Sequence, residues 1–71
     1  SSAAEAKITS RELEILEFVS EGLTVKQVAT RLGLSPRTVE AHVARLYRKL
    51  GVRNRVQAIS RAVSLGLIQI G

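Results

Sequence analysis

Arg37, Glu40, Ala41, Ala44 and Arg48 follow one another at intervals of one, three and four residues. At about 100° per residue they fall on one side of a helix, with Glu40 and Arg45 at its margins. That side alternates long cations with bare methyl groups, where an ordinary solvated face carries mixed Lys and Glu. Small residues between arginines let a helix lie close against something negatively charged. Proton-transfer and metal chemistry have little to work with: the chain has no Asp, no Cys and one His, His42. A lone His has no partners for a triad or a metal set, so the expectation is no catalytic residue, no metal and no cofactor.

The element that carries this face is well marked. Ser35 can cap the first turn, Pro36 fits the first helical position, and Gly51 follows as a stop. Val39, Val43, Leu46 and Leu50 form the opposite, inner stripe. Upstream, Thr9 with Glu12 and Thr24 with Gln27 have the spacing of capping boxes, and Ile8 with Leu13 that of a hydrophobic staple. Leu13, Leu16 and Val19, with Ile15 and Phe18 beside them, give the first helix its apolar face, and Gly22 ends it. Val25, Val28, Ala29 and Leu32 do the same for a short second helix that stops at Gly33. Asn54 and Gln57 predict a further cap and box for a last helix from about Arg55 to Leu65, stopped by Gly66. The fold class predicted is all-α, a four-helix (tetrahelical) helix-turn-helix bundle. Residues 8–71 form the domain, and residues 1–7 are expected to be a flexible linker or a remnant of expression, in a fragment of a longer protein.

Composition sets bounds on that domain. A chain of 71 residues buries only about 60% of the surface it exposes when unfolded, so helix packing must do most of the stabilising. The core is aliphatic, since aromatics are 3% of residues. The formal charge is +5, and eight of the eleven cations are Arg, which favours forked contacts to phosphate or base edges. No apolar run approaches the roughly 20 residues needed to span a bilayer.

Gly33-Leu34-Ser35 joins the second and third helices, and so short a turn is the signature of a helix-turn-helix unit. In such a unit the second helix lies in the major groove of double-stranded DNA while the first crosses the backbone. Arg37, Glu40, Ala41, Ala44 and Arg48 then face the bases. Thr24 and Lys26, at the start of the crossing helix, are placed for phosphate, as are Thr38, Arg45 and Lys49 on the flank of the third. Several of these positions carry two readings. Glu40 can accept from cytosine N4 or orient Arg37 one turn earlier. Ala41 and Ala44 can touch thymine methyls or make room. His42 can pack or donate to a phosphate, and Tyr47 suits the core edge. Arg53 and Arg55 lie where the helix dipole disfavours cations, which suggests an external anion or a solvated loop.

Thr9-x-Arg11-Glu12, Glu21-Gly22-Leu23-Thr24, Val28-Ala29-x-x-Leu32, Ser35-Pro36-x-Thr38-Val39-x-x-His42 and Lys49-Leu50-Gly51-Val52 stand in this order along the chain. Together they resemble the DNA-binding domain of LuxR/NarL-type bacterial transcription regulators over roughly Ile8 to Ile68. The resemblance implies a tetrahelical helix-turn-helix domain behind a receiver or sensor domain. It also implies pairing through the fourth helix on a two-fold site, with RNA polymerase as a further partner, in the bacterial cytoplasm at the nucleoid. No membrane and no small-molecule ligand is expected for the domain itself. Val25 and Arg45 stand where the family often has Asn, and Glu40 where several relatives have Lys. Base preference therefore follows this chain's own groove residues.

The last helix independently suggests a homodimer. Val56, Ile59 and Val63 form one stripe, expected against the core. Ala58, Ala62 and Leu65 form a second, expected to face a partner helix. The competing arrangement folds Leu67–Ile70 back over that second stripe. A sigma-factor-like promoter-binding region and a protein-interaction module that kept the fold are the alternative functions.

Overall fold

The computed structural model describes residues 7–69. Four helices follow in order: α1 (Ser10–Ser20), α2 (Val25–Leu32), α3 (Pro36–Leu50) and α4 (Arg55–Ser64). There is no strand among the described residues.

Each helix starts where a side chain satisfies its first amides. The Glu12 N–H donates to Thr9 Oγ1 at 3.1 Å while the Thr9 N–H donates to Glu12 Oε1 at 3.0 Å. Thr24 and Gln27 repeat the exchange at 3.2 and 2.8 Å. Ser35 Oγ accepts from the Thr38 N–H at 3.1 Å, ahead of Pro36 at the first position. At α4 the box differs from expectation. Asn54 Oδ1 accepts from the Gln57 N–H at 2.9 Å, but the Gln57 side chain accepts from the Arg53 N–H, not from that of Asn54. The bend over residues 53–54 turns the Arg53 amide toward the helix end.

Two clusters make up the core, and α1 and α3 contribute to both. Ile15 and Val39 join Val28 and Ala29 of α2 in one. Leu16, Leu46 and Leu50 join Ala62 of α4 and Ile68 of the tail in the other. The N-terminal half of α3 is thus seated on α2, and its C-terminal half on α4 and the chain end. Ile8 and Leu13 both pack on the second cluster, as a staple requires.

The expected orientation of α4 is corrected. Ala58 and Ala62 are both 0% exposed and face the core, whereas Val56 is 77% and Val63 41% exposed. Ile59 packs on the second cluster as expected, but Val56 and Val63 give up the core-facing side to Ala58 and Ala62. Four residues apart, the two alanines let α4 approach the bundle closely, and the space beyond Ala62 is taken by Ile68, 7% exposed, as the tail folds back. A methyl that is fully covered inside its own chain offers nothing to a second one. Leu65, 48% exposed, remains on the surface just past the helix end. Ile70 and the expected linker residues 1–6 lie outside the described residues.

Candidate nucleic-acid interface

The turn between α2 and α3 aims the exposed face. Gly33 adopts φ +68°, a left-handed conformation that side chains with a Cβ disfavour. Its N–H donates to the Thr30 carbonyl and that of Leu34 to the Ala29 carbonyl, so α2 ends in one tight reversal. Leu34 is half-buried against the α2 cluster and pins the turn. α3 then leaves with Val39, Leu46 and Leu50 inward.

Its outer surface is as expected in exposure: Arg37, Glu40, Ala41, Ala44, Arg45 and Arg48 are all solvent-facing. The ion pairs among the described residues are Arg11–Glu14 and Lys49–Glu12, so Glu40 does not hold Arg37. Thr38 is exposed beside Arg37, with its hydroxyl 2.9 Å from Ser35 Oγ. Thr24 and Lys26 are exposed at the start of α2, where the helix presents amide donors and the positive end of its dipole. His42 and Tyr47 are half-buried at the two edges of α3, Tyr47 against the second core cluster.

Two cations of the sequence reading have partners inside the protein. The Lys49 ammonium lies 2.7 Å from Glu12 Oε1, with 22% of its side chain exposed against 1% for Glu12. Its charge is committed to α1, which corrects its placement among the cations free for phosphate. Arg55 donates to the Leu23 carbonyl at 2.7 Å, tying the start of α4 to the α1–α2 loop. Arg55 remains exposed beyond that contact, as does Arg53.

The long-range partners of Glu12 and Arg55 are what sequence reasoning missed. A signal for Glu12 exists. It stands at the head of the stripe Glu12, Ile15, Leu16, Val19, at spacings of three and four, all of which are buried. A carboxylate in that register needs an internal cation. Burial penalises the charged carboxyl most strongly of any single influence. The Lys49 and Thr9 hydrogen bonds and the Lys49 charge together outweigh it and hold the Glu12 carboxyl below its ordinary value. A carboxyl depressed by folding stabilises the native state above its unfolded value and loses that contribution as pH falls through the lower native one. The urea midpoint is therefore expected to be insensitive to this group above about pH 5 and to fall as pH drops below the ordinary value of 4.5. A Glu12→Gln variant should lose that part of the acid limb, as urea titrations at stepped pH would record.

Neither a helix long and apolar enough to cross a membrane nor a group of three potential metal ligands occurs among the described residues. The profile of the family described as "Bacterial regulatory proteins, luxR family" matches residues 6–62. The transcriptional regulatory protein UhpA of Escherichia coli K12 is 46% identical over 54 residues, which is 76% of this chain and 28% of UhpA. The transcriptional activator protein AhyR of Aeromonas hydrophila is 44% identical over 61 residues, 86% of this chain and 24% of AhyR. Among solved structures, the response regulator ChrA of a heme-sensing two-component system superposes with a TM-score of 0.85 at 42% identity, covering 87% of this chain and 31% of that one. The chain thus spans between about a quarter and a third of these proteins' lengths. The profile match, the four capped helices and the exposed arginine face of α3 agree: this chain belongs to the luxR family of bacterial regulatory proteins, as a helix-turn-helix DNA-binding domain.

Proposed function

We propose that α3 enters the major groove and reads sequence there, and that two copies of the domain occupy a two-fold DNA site through α4. The observation that carries the reading is the exposed α3 face, where Arg37, Arg45 and Arg48 stand clear of any ion pair among the described residues, with Ala41 and Ala44 between them. Arg37, Glu40, Ala41, Ala44 and Arg48 meet base edges. Thr24, Lys26, Thr38 and Arg45 hold phosphates and make binding salt-dependent. The pairing surface is the exposed apolar side of α4, Val56 and Val63, with Leu65 beyond its end. A patch of three side chains is small, so the domain is monomeric alone and pairs on DNA. The domain acts within a longer cytoplasmic regulator at the nucleoid, joined through residues 1–7 as a linker, with RNA polymerase as a further partner.

Selection of bound duplexes from a random pool tests the reading as a whole. An enriched, symmetric motif is expected. Enrichment of a single half-site would remove the pairing, and no enrichment would favour a domain that binds protein instead. Val63→Glu is expected to abolish cooperative occupancy of a two-half-site duplex, about tenfold in the apparent affinity for the second site, while single-site binding persists. Paired occupancy that survives this change would move the dimer contact off α4.

A further inference from the structure

Glu12 is the buried charged residue among those described, and capping α1 uses only part of its capacity. Oε1 takes both the Thr9 N–H at 3.0 Å and the Lys49 ammonium at 2.7 Å, while Oε2 has no protein partner. Lys49 follows Arg45 by four residues and Thr38 by eleven, so the three share one flank of α3. Resting on the proposed role of that flank in gripping phosphates, we infer that Glu12 withholds Lys49 from DNA. α3 then meets the backbone with one cation fewer than its sequence carries.

The physical ground is an unequal exchange. An ammonium that moved to a phosphate would leave a buried carboxylate unpaired. One screened contact at a wet surface returns less than that. The consequence falls on specificity. Phosphate contacts strengthen binding to every sequence alike, whereas base contacts distinguish sequences. Withholding one cation lowers the affinity for all DNA and leaves the base-reading residues a larger share of the discrimination. Glu12 is therefore a positioning residue that sets the salt dependence and the non-specific affinity of the domain without touching DNA.

The salt dependence of binding to a duplex of scrambled sequence tests this on the 71-residue chain. Three proteins are compared: the native chain, Glu12→Gln and the double variant Glu12→Gln/Lys49→Met. Gln keeps an oxygen for the Thr9 N–H. Glu12→Gln is expected to steepen the slope of log K against log salt by about 0.9, roughly a 3.5-fold larger loss of affinity between 50 and 200 mM salt. The double variant, which buries no charge, is expected to keep the native slope. Equal slopes in all three proteins would reduce the pair to a structural tie and overturn the inference. So would a double variant shallower than native by about 0.9, since Lys49 would then already hold a phosphate in the native complex. If Glu12→Gln fails to fold, Glu12→Met, which fills the site with an uncharged side chain of similar length, takes its place in the comparison with the same expected steepening. Arg45→Ala separates this inference from the reading beneath it. A slope shallower by about 0.9 supports the phosphate-facing flank, and an unchanged slope overturns that flank whatever Glu12 does.

Discussion

Replacing Lys49 with alanine is expected to lower folding stability by about 3 kcal/mol, read as a reduced urea midpoint at constant m-value. The substitution leaves the Glu12 carboxylate buried with the Thr9 N–H as its remaining hydrogen-bond partner. The value lies at the low end for breaking a buried pair because the Lys49 side chain is 22% exposed and water can reach the gap. Total stability for a chain of this size is about 4–11 kcal/mol, so the loss is a large fraction of it. Glu12→Gln/Lys49→Met should recover most of it, since no charge is then left without a partner. A midpoint within a few tenths of a molar of native would assign the pair no more than the worth of a surface ion pair.

The adjacent residue should behave in the opposite way. Arg48→Ala is expected to weaken binding to a selected duplex by about 5- to 150-fold, the roughly 1–3 kcal/mol of one bidentate base contact. Thermal stability should be little changed. Arg48 is exposed, makes no ion pair among the described residues and gives way to a better helix former. Base-by-base substitution of the duplex should place the loss at one position. A loss of equal size on scrambled DNA would make Arg48 a phosphate contact instead. Two consecutive residues of α3 thus divide between binding and folding, because a rotation of about 100° carries the side chain from the outer surface to the edge that meets α1.

How legible each of these features was depends on how local its cause is. Thr9, Thr24, Ser35 and Asn54 start their helices through bonds to amides three residues on, and those spacings are visible without any tertiary structure. The inner and outer faces of α3 separate cleanly because Val39, Leu46 and Leu50 oppose arginines. α4 offers no such contrast. Its two stripes, Val56–Ile59–Val63 and Ala58–Ala62–Leu65, are both apolar, and the larger side chains argue for burying Val56 and Val63, whereas Ile59 is the member of that stripe that packs on the core. What decides is the room between α4 and the bundle, which two alanines and the returning Ile68 fill. The Glu12–Lys49 pair joins residues 37 apart. Only the docking of α1 on α3 brings them together, so Lys49 alone resembles one more surface cation. Arg55 is similar: its partner is a backbone carbonyl of a loop 32 residues earlier, and no side-chain pattern announces a carbonyl.

The connections between helices are four, three and four residues long, over positions 21–24, 33–35 and 51–54. Closing loops that short costs little chain entropy, and every helix start is set by bonds within its own first turn. Topologies of this kind reach the native state in microseconds to milliseconds. The docking of α3 on α1, which seats Lys49 against Glu12 and buries Leu46 beside Leu16, is then the expected rate-limiting encounter, with the tail at Ile68 expected to settle afterwards. Mutations at that contact should slow folding, whereas mutations in the tail should chiefly hasten unfolding. A chain that opens transiently would recover before its aliphatic segments met those of another molecule.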